Sequence, residues 1–157
     1  MKIKRLYHLF FAACSLLPVA ANAACPSLAG RFTANGAEVT DSRTGLIWAR
    51  CSAGQSLSGT ACTGTANTYT HEQALSYAAS QSGWRLPNVK ELASLADKGC
   101  QNPAIDSTAF PNTVSSGYWT SSPYVGYSSV AWNVYFFNGD VNGYGFRSSG
   151  YYVRLVR

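Results

Sequence analysis

The chain has 157 residues, with 12 basic against 7 acidic side chains, a formal net charge of +5 and a pI near 9.0. Lys2, Lys4 and Arg5 sit in the first five residues, and without residues 1–23 nine basic residues face seven acidic ones, a net charge of +2. The basic pI therefore belongs to the amino-terminal segment, and the rest of the chain carries no nucleic-acid or heparin footprint.

That segment, "MKIKRLYHLFFAACSLLPVAANA", has a positive start, an apolar run from Leu6 to Val19, and the small-x-small triplet Ala21-Asn22-Ala23. This is the pattern of a cleaved signal peptide over 1–23, with the mature chain starting at Ala24. The apolar run is shorter than the roughly 20 residues of a membrane helix, so no transmembrane helix is expected in the mature chain. A second reading cleaves before Cys14 and anchors the protein by a lipid on that residue. Both readings predict export, to the periplasm, the medium or the outer surface.

Residues 24–157 suit one domain with its own core. They contain Cys25, Cys51, Cys62 and Cys100. An even number of cysteines in an exported chain predicts two disulfides, for which three pairings exist. Cys51 and Cys62 bracket a short small-residue segment that closes easily, which pairs them and leaves Cys25 with Cys100. No spacing resembles a zinc site.

In chain order, "AEVTDSRTGLIWARC" predicts a hairpin. Val39 and Leu46-Ile47-Trp48 form its strands, and Asp41, Ser42 and Gly45 form its turn. The Gly, Ser and Thr-rich residues 52–67 have no apolar period and predict a stapled loop. Thr70 and Gln73 form a capping box for a helix over 71–81, with Ala74, Leu75, Tyr77 and Ala78 at helical spacing. Gly83 ends it. A second helix starts at Asn88, with Glu91 three residues on and Val89, Leu92, Ala93 and Ala96 as its apolar stripe. Gly99 stops that helix, and "QNPAIDSTAFPNT" is loop.

The remainder predicts antiparallel strands. Alternation in "AWNVYFF" assigns Trp132, Val134 and Phe136 to a core face and Asn133, Tyr135 and Phe137 to solvent. Asn138-Gly139 and Asn142-Gly143 are turn dipeptides, and "YYVRLVR" is a terminal strand. The order of hairpin, two helices and several strands defines an α+β domain.

Catalytic chemistry is poorly supplied. His71, the one histidine beyond residue 23, falls in the first turn of the first helix, where a solvated polar residue is expected. Glu72 and Glu91 are explained by helix dipoles. The other carboxylates, Glu38, Asp41, Asp97, Asp106 and Asp140, are scattered. No phosphate loop follows a strand, and the thiols are consumed by disulfides. No enzyme activity and no cofactor are expected.

The last 41 residues, from Gly117, hold seven of the ten tyrosines and contain no Lys, Glu, Gln or Met. A surface of Tyr, Ser, Gly and Asn is the composition of antibody paratopes: rigid amphipathic rings among small adaptable polar residues. Trp119, Trp132, Val134 and Phe136 are expected in the core. Tyr124, Tyr127, Tyr135, Phe137, Tyr144, Phe146 and Tyr151 are expected at an interaction surface.

"TDSRTGLIW", "RCSAGQSLSGTACTGTA", "GWRLPNVKEL", "NPAID", "FPNT", "YWTSSP" and "YVRLVR", in this order, resemble the Lcl C-terminal domain family, which ends collagen-like bacterial adhesins. The resemblance covers nearly all of residues 24–157. It implies a C-type-lectin-like fold and extracellular binding, with sulfated glycans among the ligands of the adhesin branch, and it supports pairing Cys51 with Cys62. Two features depart from the adhesins. No Gly-X-Y stretch precedes the domain, so trimerisation is not implied. The nearly neutral carboxy-terminal strip speaks against sulfated glycans. Trp132-Asn133-Val134 lacks the following acid of calcium-dependent lectins and no Glu-Pro-Asn occurs, so no metal is expected.

Within that family the chain looks like the variable proteins of diversity-generating retroelements, in which a reverse transcriptase copies a template repeat with mutated adenines into the end of the gene. Mutating only the adenines of AAC-type codons yields no codon for Lys, Glu, Gln, Met or Trp. Residues 24–116 hold nine Lys, Glu or Gln, a frequency that would place about four in the final 41 residues. The resemblance implies a variable binding strip over 117–151 containing Tyr124, Tyr127, Ser129, Val130, Asn133, Tyr135, Phe137, Asn138, Asp140, Val141, Asn142, Tyr144, Phe146, Ser148, Ser149 and Tyr151. The expected function is an exported binding protein whose diversified surface meets a protein or glycan ligand on a cell or phage surface. A glycan-binding adhesin domain of fixed specificity is the alternative.

Overall fold

The computed structural model describes Cys25 and residues 28–157; the expected signal peptide, including Cys14, lies outside the described residues. The amino-terminal sheet is antiparallel, in the order β1 (Phe32–Asn35), β2 (Glu38–Asp41) and β3 (Ile47–Ala49). The predicted hairpin is β2–β3, with Val39 opposite Trp48. Its turn is tied by Asp41, which accepts from the Thr44 hydroxyl and the Arg43 amide and receives Arg31 Nε at 2.7 Å. Strand β1, which no apolar alternation announced, is an added edge.

The loop expected over 52–67 contains a short hairpin, β4 (Ser56–Ser58) and β5 (Ala61–Thr63). Its polar side chains carry no apolar period because both strands are mostly exposed. The Cys51–Cys62 disulfide closes it, and Cys25–Cys100 forms the second bridge, as expected.

Helix α1 (His71–Ser80) has the Thr70/Gln73 capping box, and α2 (Val89–Ala93) has the equivalent pair, Asn88 and Glu91. Both satisfy orphan amides of the first turn from local sequence. The second helix is shorter than its apolar stripe. Beyond Ala93 the chain tightens, with the Leu95 and Ala96 amides donating to the carbonyls of Leu92 and Ala93. This keeps Leu92 and Leu95 fully buried.

The carboxy-terminal sheet runs β6 (Gly117–Pro123), β7 (Val130–Tyr135) and β8 (Asp140–Phe146), antiparallel in chain order. Neighbouring residues of β6 face opposite ways. Tyr118 enters a core with Val39, Trp48, Leu92, Leu95, Phe110, Val134 and Phe136. Trp119 enters a second core with Ala74, Ala78, Leu86, Ala131 and Val153. The sheet is therefore covered on both faces. This corrects the expected division of β7: Asn133, assigned to solvent, is fully buried, while Trp132, assigned to the core, is only partly so.

The expected terminal strand is instead a run of single bridges. Tyr151 pairs with Tyr69, Tyr152 runs parallel to Tyr118, and Val156 meets both Trp48 and Arg85. These residues sew the sheets together, which buries Val153, Arg154, Leu155 and Val156. The buried Arg154 guanidinium donates to the Ala49 carbonyl at 2.8 Å and the Thr113 hydroxyl at 2.8 Å, and lies over the Phe110 ring at 4.8 Å.

Candidate functional site: an aromatic groove on the carboxy-terminal sheet

Two irregularities in the sheet meet at Trp132. On β6 the register passes from Trp119↔Asn133 to Pro123↔Ala131, so three residues, Thr120, Ser121 and Ser122, lie opposite one. On β8 it passes from Asn133↔Asn142 to Ala131↔Gly145, so Gly143 and Tyr144 lie opposite the same Trp132. Bulges sharpen the local twist and redirect side chains. The Thr120 hydroxyl holds the β6 bulge by donating to the Trp132 carbonyl at 2.8 Å. Asn142-Gly143, expected as a turn, is strand interior at this bulge, whereas Asn138-Gly139 is the β7–β8 turn, with Gly139 at a φ of 79°.

The consequence is a cluster of rings centred on Tyr124. Its ring lies 5.3 Å from Trp132, 5.4 Å from Tyr144 and 6.2 Å from Tyr127, the last nearly parallel at 16°. Contact with the Tyr144 phenol raises the Tyr124 pKa above its ordinary value. Tyr127 and Tyr144 remain 62% and 64% exposed. A groove of about 620 Å³ runs beside the cluster, walled by Tyr124, Trp132 and Tyr144 and by Tyr135, Phe137, Asn138, Asp140, Val141 and Asn142, with Gly143 in its floor.

The polar groups at its rim are bound to one another. Asp140 accepts from Lys98 Nζ at 3.0 Å and from the Asn138 amide at 2.6 Å, while the Asn138 oxygen accepts from the Asp140 amide. Lys98, and then Asn138, hold the Asp140 carboxyl below the usual carboxylate range. The Asn142 side-chain oxygen accepts from the Tyr144 amide at 2.7 Å.

The predicted site residues divide into three groups. Tyr124, Tyr135, Phe137, Asn138, Asp140, Val141, Asn142 and Tyr144 surround the groove, and Tyr127 stacks at its edge. Ser129, Phe146, Ser148, Ser149 and Tyr151 lie outside that lining, and Phe146 is 62% exposed. Val130 and Asn133 are buried, which removes both from the accessible surface. Tyr151 packs edge-on against Trp119 at 4.7 Å, and the Tyr135 hydroxyl donates to its phenol oxygen at 3.1 Å. Burial, and then that bond, push the Tyr151 pKa up to about 12.

Trp132 and Gly143 are the residues of the groove that alternation and turn propensity assigned elsewhere. A glycine within a strand marks a bulge or a close approach, and Gly143 carried that signal. His71 also departs from expectation. It is 2% exposed, with Nε2 3.0 Å from the Thr120 carbonyl and its ring edge-on to Trp119 at 5.0 Å. The first turn of α1 packs on β6, and burial lowers the His71 pKa. Among the described residues the one grouping of metal-ligand types is Cys25, Asp97 and Cys100, whose sulfurs are joined as a disulfide.

The chain is thus a disulfide-stapled α+β domain with an exposed aromatic groove on its carboxy-terminal sheet. Residues 37–157 match the Lcl C-terminal domain, and the chain belongs to that family. No curated protein matches the chain. The family and the two disulfides fit an extracytoplasmic binding domain. No helix among the described residues is long and apolar enough to cross a membrane.

Proposed function

We propose that this is an exported, non-catalytic binding protein whose ligand site is the aromatic groove, and that the exposed positions of residues 117–151 are diversified by a retroelement. The observation that carries the reading is the Tyr124–Trp132–Tyr144 cluster, held open to solvent by paired bulges on a disulfide-closed scaffold. A contiguous exposed aromatic surface of this kind marks an interaction site. The absence of Lys, Glu, Gln and Met from Gly117 onward supports diversification through adenine mutagenesis. The division of the strip supports it too: Trp119, Val134 and Phe136 build the core while Tyr127, Asp140 and Tyr144 face solvent.

Sequencing the DNA that flanks the gene tests this. A near-copy of codons 117–157, differing mainly where the copy has adenine and lying beside a reverse-transcriptase gene, is expected. Without such a copy the strip is a fixed binding face. The glycan-binding reading drawn from the family then replaces diversification, with a glycan array as its test.

A further inference from the structure

The groove constrains the chemistry of its occupant. Recognition of sugar hydroxyls needs polar side chains free to bond them, and here most polar side chains of the rim already bond one another. Asp140 is held by Lys98 and Asn138, the Asn138 amide bonds at both ends to Asp140, and the Asn142 oxygen takes the Tyr144 amide. Turning these groups to a ligand would exchange bonds they already hold, whereas contact with the ring faces requires no such exchange. No lysine or arginine lines the groove, and its one carboxylate is paired with Lys98. An anionic polymer would meet no counter-charge there.

What the groove offers is ring faces and apolar edges. Phe137 and Val141 are 51% and 43% exposed along its wall, and Val125, beside Tyr124 in the adjoining loop, is 93% exposed. Aromatic enrichment with few Lys and Glu is the composition of a protein–protein interface core. Given that the groove is the ligand site, we infer that its partner is a polypeptide surface inserting an uncharged apolar side chain between the Tyr124–Trp132–Tyr144 cluster and Phe137. Such binding depends little on salt, because no unpaired charge at the site contributes.

The test pans a phage-displayed random peptide library on the intact protein and titrates the selected peptides as free ligands. Neutral and sulfated oligosaccharide arrays are probed in parallel. Selected peptides should share a large apolar residue, and Trp132→Ala or Tyr144→Ala should weaken them at least about tenfold. Raising sodium chloride from about 0.05 to 0.5 M should change affinity less than about twofold. Tyr144 is mostly exposed, so its variant keeps the test valid where Trp132→Ala unfolds the chain. Binding of oligosaccharides alone, abolished by these substitutions, overturns the polypeptide class and leaves the groove as the site. Peptides unaffected by both substitutions remove the groove itself. Failure to select any peptide also overturns the inference.

Discussion

The ring of Tyr124 lies over the backbone of Gly143: a Cβ at that glycine would come within 2.7 Å of Tyr124 Cδ2 and Cε2, and within 3.1 Å of the Trp132 ring. No side chain fits there, so glycine is what lets Tyr124 settle against Trp132. The extra residue of the β8 bulge then brings Tyr144 alongside. The groove thus depends on a residue that itself contributes no side chain.

Gly143→Ala should separate Tyr124 from Trp132. Overpacking costs about 1–3 kcal/mol, and the partial exposure of Tyr124 places this variant at the low end. The expected result is a folded protein with a slightly lower Tm and a changed near-UV circular dichroism spectrum. An unchanged near-UV spectrum would mean that the ring stack tolerates a methyl group.

The two tryptophans of the sheet should behave differently. Trp119 is fully buried and donates through Nε1 to the Tyr69 carbonyl at 2.7 Å. Trp119→Ala should cost about 3–5 kcal/mol. Trp132 is partly exposed in the groove, and Trp132→Ala should cost about 1 kcal/mol, the ordinary value for a point substitution. Urea melts of both variants decide this, and equal losses would return Trp132 to the core.

Asn133 is fully buried, and neither its side-chain oxygen nor its nitrogen has a partner. Unsatisfied buried polar groups cost about 1–3 kcal/mol, and an apolar group of similar shape removes that cost. Asn133→Leu should raise Tm. A fall would show that the amide is satisfied in solution, for example by a buried water.

Asp41 is buried against Arg31. Burial alone would raise its pKa, but the bonds from Arg31, Thr44 and the Arg43 amide outweigh it and bring the value down to about 2 from an ordinary 3.8. A depressed carboxylate contributes stability that is fully present above the unfolded value and is lost as pH falls through the folded one. The shift corresponds to about 2 kcal/mol, lost between about pH 4 and pH 2. Asp41→Asn should be less stable than the parent at pH 6 and should flatten the acid limb of the stability curve. Parallel curves for the two proteins would contradict this.

How much of this was legible follows from where the determining interactions lie. The capping boxes at Thr70/Gln73 and Asn88/Glu91 are local, and their residues announce them. The Cys51–Cys62 closure spans 11 residues and is nearly local. The faces of β7 are not local. Alternation assumes one wet face, but α2 and its neighbours cover the Val134 side while α1 and Val153 cover the Asn133 side. Trp132 shares the Val134 face yet lies where bulges on both neighbouring strands interrupt the register, and the bulge on β6 leaves no mark in residue type. His71 is similar: its helix position was predicted, but not that this turn would press against Trp119.

The central claim is that the chain separates a fixed scaffold from a surface diversified for binding, and sequencing codons 117–157 from many cells of one lineage tests it most directly. Substitutions should fall on the proposed variable positions, such as Tyr124, Tyr127, Asp140 and Tyr144, while the buried Trp119, Val134, Phe136 and Gly145, and Trp132 and Gly143 packed against Tyr124, stay constant. An invariant strip, or changes spread evenly over buried and exposed codons, would contradict the claim.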